Sequence, residues 1–161
     1  DESGVEYYFA CTSNAAYSST WQDSPVYQAS SLPKGSHSFV VRVRDKSPNH
    51  NTTADSSQVT VDLQPPTPDP MQWESVPRET YYGGGTFDYW AEMSAKEATD
   101  ANGGVEYYFE CTTASGLSSG WQTSSTYKVQ VGRRAQGQRF RVKVRDLYGN
   151  ETAPSSTLPA G

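Results

Sequence analysis

The sequence predicts an all-β protein built from two antiparallel sandwiches in tandem, the first truncated at its N-terminus. Three observations carry this expectation. Apolar and polar residues alternate with period two in several short segments, which gives each strand one face for a core and one for water. The chain has no isoleucine and few leucines, so its core must come from Val, Tyr, Phe and Trp, which favour strands. A long block of residues 4–27 recurs at 104–127.

The recurring block reads GVEYYFACTSNAAYSSTWQDSPVY and then GVEYYFECTTASGLSSGWQTSSTY, identical at 14 of 24 positions without a gap. FVVRVRD at 39–45 returns as FRVKVRD at 140–146, and NHNTTADSS at 49–57 as GNETAPSS at 149–156. An offset near 100 residues fits one sandwich domain and is too long for a solenoid repeat. It divides the chain into residues 1–63 and 64–161, joined by LQPPTPDP at 63–70, a proline-rich, semi-rigid spacer. Residues 64–103 precede the block in the second repeat, whereas only Asp1, Glu2 and Ser3 precede it in the first. The first repeat is therefore expected to lack its first two strands. Its core residues Val5, Tyr7, Phe9, Phe39, Val41 and Val43 then need cover from upstream chain or from strands of a neighbouring chain.

In the complete repeat the first strand is expected over Met71–Thr80 and the second over Thr86–Ala95, with Gly83, Gly84 and Gly85 punctuating the hairpin between them. Alternation along the second sends Phe87, Tyr89, Ala91 and Met93 inward and Asp88, Trp90, Glu92 and Ser94 outward. Val105–Thr112 follows, with Val105, Tyr107, Phe109 and Cys111 on its inner face. Gly120–Gln130 is the next strand, and Gln138–Asp146 places Phe140, Val142 and Val144 inward. Asp146-Leu-Tyr-Gly-Asn150 is a turn with residues suited to positive φ, and a last edge lies near Thr152–Leu158.

The strings VEYYFECT, SGWQTSSTY and RVKVRDLYGNETAPSS resemble a fibronectin type III-like repeat of large secreted proteins from marine and aquatic bacteria, proteins that often degrade polysaccharides. The resemblance covers nearly the whole chain. It implies an immunoglobulin-like sandwich in which the predicted elements are strands A, B, C, C′/E, F and G. It also implies a secreted or cell-surface location, and neighbouring domains that carry catalysis or adhesion.

Composition narrows the function. The net charge is −5, and neither half has the basic excess of nucleic-acid binding. No apolar run approaches the roughly 20 residues that span a bilayer, so no membrane partner is expected, and any export signal is expected upstream. Cys11 and Cys111 occupy the same place in the two copies and read as small buried hydrophobes, not as a bridge. His37 and His50 have no counterparts in the complete repeat and read as exposed loop residues. No convergent nucleophile, base or metal site is visible, so no enzymatic activity is expected.

Three surfaces are candidates for ligands. With strands C and F adjacent, Glu106, Tyr108 and Glu110 lie beside Arg141, Lys143 and Arg145. This is either a cross-strand charge ladder or a platform where a ring stacks on a sugar and a cation holds a sulfate or carboxylate. Tyr8, Arg42 and Arg44 repeat the pattern, and Trp21 and Trp121 stand at equivalent positions, as sugar platforms or as cover for the sandwich edge. Trp90 on a polar face, near Tyr81 and Tyr82, asks for a partner: carbohydrate, an adjacent domain or another chain. Asp100 and Asn102 before strand C, with Asp146 and Asn150 after strand F, offer oxygens for calcium or simply close their own turns; Asp1, Asp45 and Asn51 keep the pattern in the first copy. The expected function is a non-catalytic extracellular module that spaces a larger secreted protein and anchors it on polysaccharide. The alternative is a structural repeat of a cell-surface adhesin or filament, assembling by β-strand complementation without glycan binding.

Overall fold

The computed structural model describes residues 4–85, 87–132 and 137–161, and these contain strands and two short 3₁₀ turns but no α-helix. The chain divides into two compact units, Asp1–Gln64 and Pro65–Gly161. Every strand pairing is antiparallel.

The first unit carries one sheet among its described residues. Its order is β1 (Val5–Cys11), β2 (Ser36–Asp45) and β3 (Val59–Asp62). The β1–β2 ladder pairs Tyr7 with Val43, Phe9 with Val41 and Cys11 with Phe39, which puts these apolar side chains on one face. Cys11 is buried, but Tyr7, Phe9, Phe39, Val41 and Val43 are only partly covered.

The second unit has two sheets. One joins β4 (Trp73–Tyr81), β5 (Tyr89–Ala95) and β8 (Thr126–Gly132) in the order β4-β5-β8. The other joins β6 (Val105–Cys111), β7 (Trp121–Gln122), β9 (Arg139–Asp146) and β10 (Leu158–Pro159) in the order β10-β9-β6-β7. Their inner faces make one core, the arrangement of a β-sandwich. Ala91, Met93 and Ala95 of β5 and Met71 ahead of β4 meet Tyr107, Phe109, Phe140, Val142 and Val144. Phe109, Phe140, Val142 and Val144 are wholly buried, each burial being worth about 1.5–3 kcal/mol. Cys11 and Cys111 are both buried free thiols.

The structure departs from the sequence expectations at several points. Gly120–Gln130 is not one strand. Gln122 donates its side-chain amide to the carbonyls of Ser124 and Thr126, both at 2.8 Å, and this turn carries the chain from one sheet to the other. The last edge shrinks to Leu158–Pro159, because Pro154 interrupts it and side chains take over the bonding. There Thr152 and Ser155 donate backbone N–H groups to Val144 and Val142. Their hydroxyls accept the N–H groups of the same two valines. Phe87 does not point inward: Asp88 N–H donates to the Gly85 carbonyl, so Phe87 sits in the turn before β5, 57% exposed. Thr86 lies outside the described residues. His37 is no loop residue. It sits on β2, 7% exposed, with Nε2 against the Pro33 carbonyl and its ring edge-on to Tyr17. In the first unit the segment after Tyr27 forms no strand, although its burial alternates as in β8.

Candidate ligand-binding surfaces

Alternation sends the polar residues of β6 and β9 to the outer face of their sheet, and the register fixes their neighbours. Glu106 lies opposite Arg145, Tyr108 opposite Lys143 and Glu110 opposite Arg141. Arg145 pairs with Glu106 at 2.7 Å, Arg141 with Glu110 at 2.6 Å, and Lys143 with Glu151 at 2.6 Å. The Arg141 guanidinium holds the Glu110 carboxyl below its ordinary range, and that carboxylate raises Arg141 in turn. The aromatic rings of this face are covered by the same cations. Arg145 stands 4.3 Å from the centre of the Trp121 ring, and Lys143 lies 5.2 Å from Trp121 and 5.6 Å from Tyr108.

The first unit builds the same arrangement from Tyr8, Trp21, Arg42 and Arg44. Arg44 sits 4.3 Å over Trp21 and pairs with Glu6 at 2.8 Å, while Arg42 faces Tyr8 and pairs with Asp55. On both faces the cations that would grip a sulfate are already engaged by carboxylates, and they cover ring surface that a sugar would use. The charge-ladder reading describes this geometry.

The hairpin between β4 and β5 is arranged differently. Trp90 is half-buried, not exposed: its indole N–H donates to Asp88 at 2.9 Å, and Lys128 of β8 lies 4.9 Å from its ring. Tyr82 meets Trp90 edge-on, has the Lys128 ammonium 3.7 Å from its ring centre, and donates its hydroxyl to Glu92. Glu92 also accepts from Lys128 at 3.0 Å. These bonds, the Tyr82 hydroxyl foremost and then Lys128, hold the Glu92 carboxyl below its ordinary value. The Trp90 indole and the Gly84 N–H do the same for Asp88. Tyr81 packs against Tyr89, the rings tilted by 32° with centroids 4.8 Å apart. Tyr81 and Tyr82 remain 52% and 53% exposed. The hairpin thus presents aromatic rings backed on one side by Tyr89 or Lys128 and open to solvent on the other.

Sequence reasoning missed Lys128 in this cluster. Lys128 alternates outward on β8, but its place opposite Glu92 depends on the β5–β8 register, which sequence spacing does not reveal.

The turn residues close their own loops. Asp146 is buried, and its carboxylate accepts from the backbone N–H groups of Tyr148 and Asn150 and from the Asn150 amide at 2.7 Å. Asp45 accepts from Ser47 and Asn51 in the same way, and those bonds, Ser47 first, hold it below its ordinary value. Asp100 accepts the Asn102 N–H at 2.8 Å. These bonds are turn chemistry, and the carboxylate oxygens of Asp100 and Asp146 also lie within 4.8 Å of each other, a spacing that a shared cation such as calcium can bridge. Asp1 lies outside the described residues. Compared with known families and curated proteins, the chain matches no family model and no curated relative.

Proposed function

We propose that the chain is a non-catalytic extracellular module of the fibronectin type III-like kind, which spaces a larger secreted protein and contacts polysaccharide through the β4–β5 hairpin of its second unit. The supporting observation is the pair Tyr81 and Tyr82, half-exposed at one hairpin tip and held in place by Tyr89 and Lys128. Large rings kept in water cost free energy that a flat apolar ligand face relieves, and the C–H face of a sugar ring is such a ligand. Asp88, Glu92 and Lys128 beside the rings supply hydrogen-bonding groups for hydroxyls.

Affinity electrophoresis through neutral, carboxylated and sulfated polysaccharides tests this. Retardation is expected on at least one of them, weakened about tenfold or more by the double variant Tyr81→Ala/Tyr82→Ala and little changed by Trp121→Ala. Retardation on no glycan, or retardation carried by Trp121, overturns the assignment. The second reading, a structural repeat of an adhesin or filament without glycan binding, is favoured by the outer β6–β9 face, whose rings and charges are spent on one another.

A further inference from the structure

The outer face of the β4-β5-β8 sheet carries a groove. Ala91, Met93 and Ala95 face the core, so Trp90, Glu92 and Ser94 face outward on β5. The registers set Arg78 of β4 opposite Glu92, and Lys128 and Thr126 of β8 opposite Glu92 and Ser94. The β4–β5 ladder slips between Ser75 and Arg78, an irregularity of the kind that re-aims side chains. Pro77 is wholly buried there, while Val76 is exposed. At this slip the groove encloses about 670 Å³, with Val76, Arg78, Ser94 and Thr126 among its walls. Glu92 and Lys128 line it too, and Lys128 is the cation 3.7 Å from the centre of the Tyr82 ring. The groove is therefore continuous with the rings of the hairpin.

Its charges are balanced. Two cations, Arg78 and Lys128, share it with two carboxylates, Glu74 and Glu92, and Asp88 adds a third carboxylate beside Trp90. Lys128 is committed to Glu92 at 3.0 Å and to the Tyr82 ring. Among the described residues, the side chains of Arg78 and Glu74 enter no ion pair.

We infer, resting on the reading that the hairpin contacts polysaccharide, that this groove extends the ring site and selects a neutral, hydroxyl-rich glycan chain over chains bearing carboxylates or sulfates. A neutral sugar both gives and takes hydrogen bonds. Its hydroxyls donate to Glu74 and accept from the guanidinium of Arg78, and the hydroxyls of Ser94 and Thr126 serve in either role. Val76 and the Tyr82 ring give its C–H faces apolar surface. A polyanion finds one uncommitted cation in the same space and meets three carboxylates, whose repulsion outweighs a single exposed pair. Asp88 and Glu92 are charged at neutral pH, because their hydrogen bonds hold both below the ordinary carboxyl range.

The test is affinity electrophoresis of the full 161-residue chain through neutral and acidic polymers. The neutral set is dextran, laminarin, hydroxyethyl cellulose and galactomannan; the acidic set is dextran sulfate, carboxymethyl cellulose and alginate. Retardation is expected on at least one neutral polymer and is expected to exceed that on every acidic one. Titration of that neutral polymer, followed by tryptophan fluorescence, should give the same affinity at low salt and at about 1 M salt, where screening reaches about 3 Å. Arg78→Ala and Thr126→Glu should each weaken binding at least about fivefold. Both residues are exposed, and an unchanged urea midpoint separates lost binding from a lost fold. Stronger retardation on an acidic polymer, or affinity that salt abolishes, overturns the selectivity and leaves the hairpin contact standing. Neutral binding that Tyr81→Ala/Tyr82→Ala weakens, but that both groove variants keep, overturns the groove. Retardation on no polymer defeats the hairpin reading itself, and this inference with it.

Discussion

Single hydroxyls do ladder work in this protein. Ser155 accepts the N–H of Val142, and Ser56 accepts that of Val41. The bonds are the same, but Val142 is wholly buried whereas Ser56 is exposed and Val41 only partly covered. Removing an acceptor from a buried N–H leaves it unsatisfied, at a cost of about 1–3 kcal/mol, while water replaces it at an exposed site. Ser155→Ala should therefore lower unfolding stability by about 1–2 kcal/mol and Ser56→Ala by less than half as much. Urea titration of the two variants measures both, and equal losses would contradict the role given to burial. Asp146 belongs at the same scale: three hydrogen bonds converge on a buried carboxylate. Asp146→Ala is expected to cost about 2 kcal/mol or more, with Asp146→Asn recovering part of it.

The second unit's ion pairs tie neighbouring strands together. Glu92 links β5 to Lys128 on β8, and Glu110 links β6 to Arg141 on β9. Both carboxyls are held below the ordinary glutamate value, so folding favours their ionised forms. The stability they add is present at neutral pH and is lost as the pH falls below about 4.3, the unfolded value, through the lower folded values. The urea midpoint should fall over that acidic range and hold steady above it. The double variant Glu92→Gln/Glu110→Gln should flatten the fall; an unchanged slope would assign it to other carboxylates. Most strands were legible because alternation needs only local sequence: Tyr107, Phe109, Val142 and Val144 are inside where period two puts them. The failures came where side chains competed with the ladder. Gln122 cut one predicted strand by bonding two carbonyls, and Thr152 and Ser155 replaced another with a strap. The candidate site was half legible. Tyr81, Tyr82 and Trp90 are close in sequence, but Lys128 joins them only through a cross-strand register.

Across the whole molecule, matched ladders sit in unequal surroundings. The amide N–H groups of Val41 and Val142 make equivalent bonds, yet the second is sealed between two sheets and the first lies in a single one. Hydrogen exchange follows local opening, which is easier where few apolar contacts must be broken. Amides of β1 and β2 should exchange well before those of β6 and β9 at neutral pH, read residue by residue by NMR. Equal protection would show that the first sheet holds itself together without cover.

The passage from β7 to β8 is also a rivet. One unbroken stretch of backbone belongs to both sheets of the second unit, and the Gln122 amide clamps its bend to Ser124 and Thr126. Sliding one sheet over the other would shear that clamp first. A tug on either sheet is therefore shared with its neighbour.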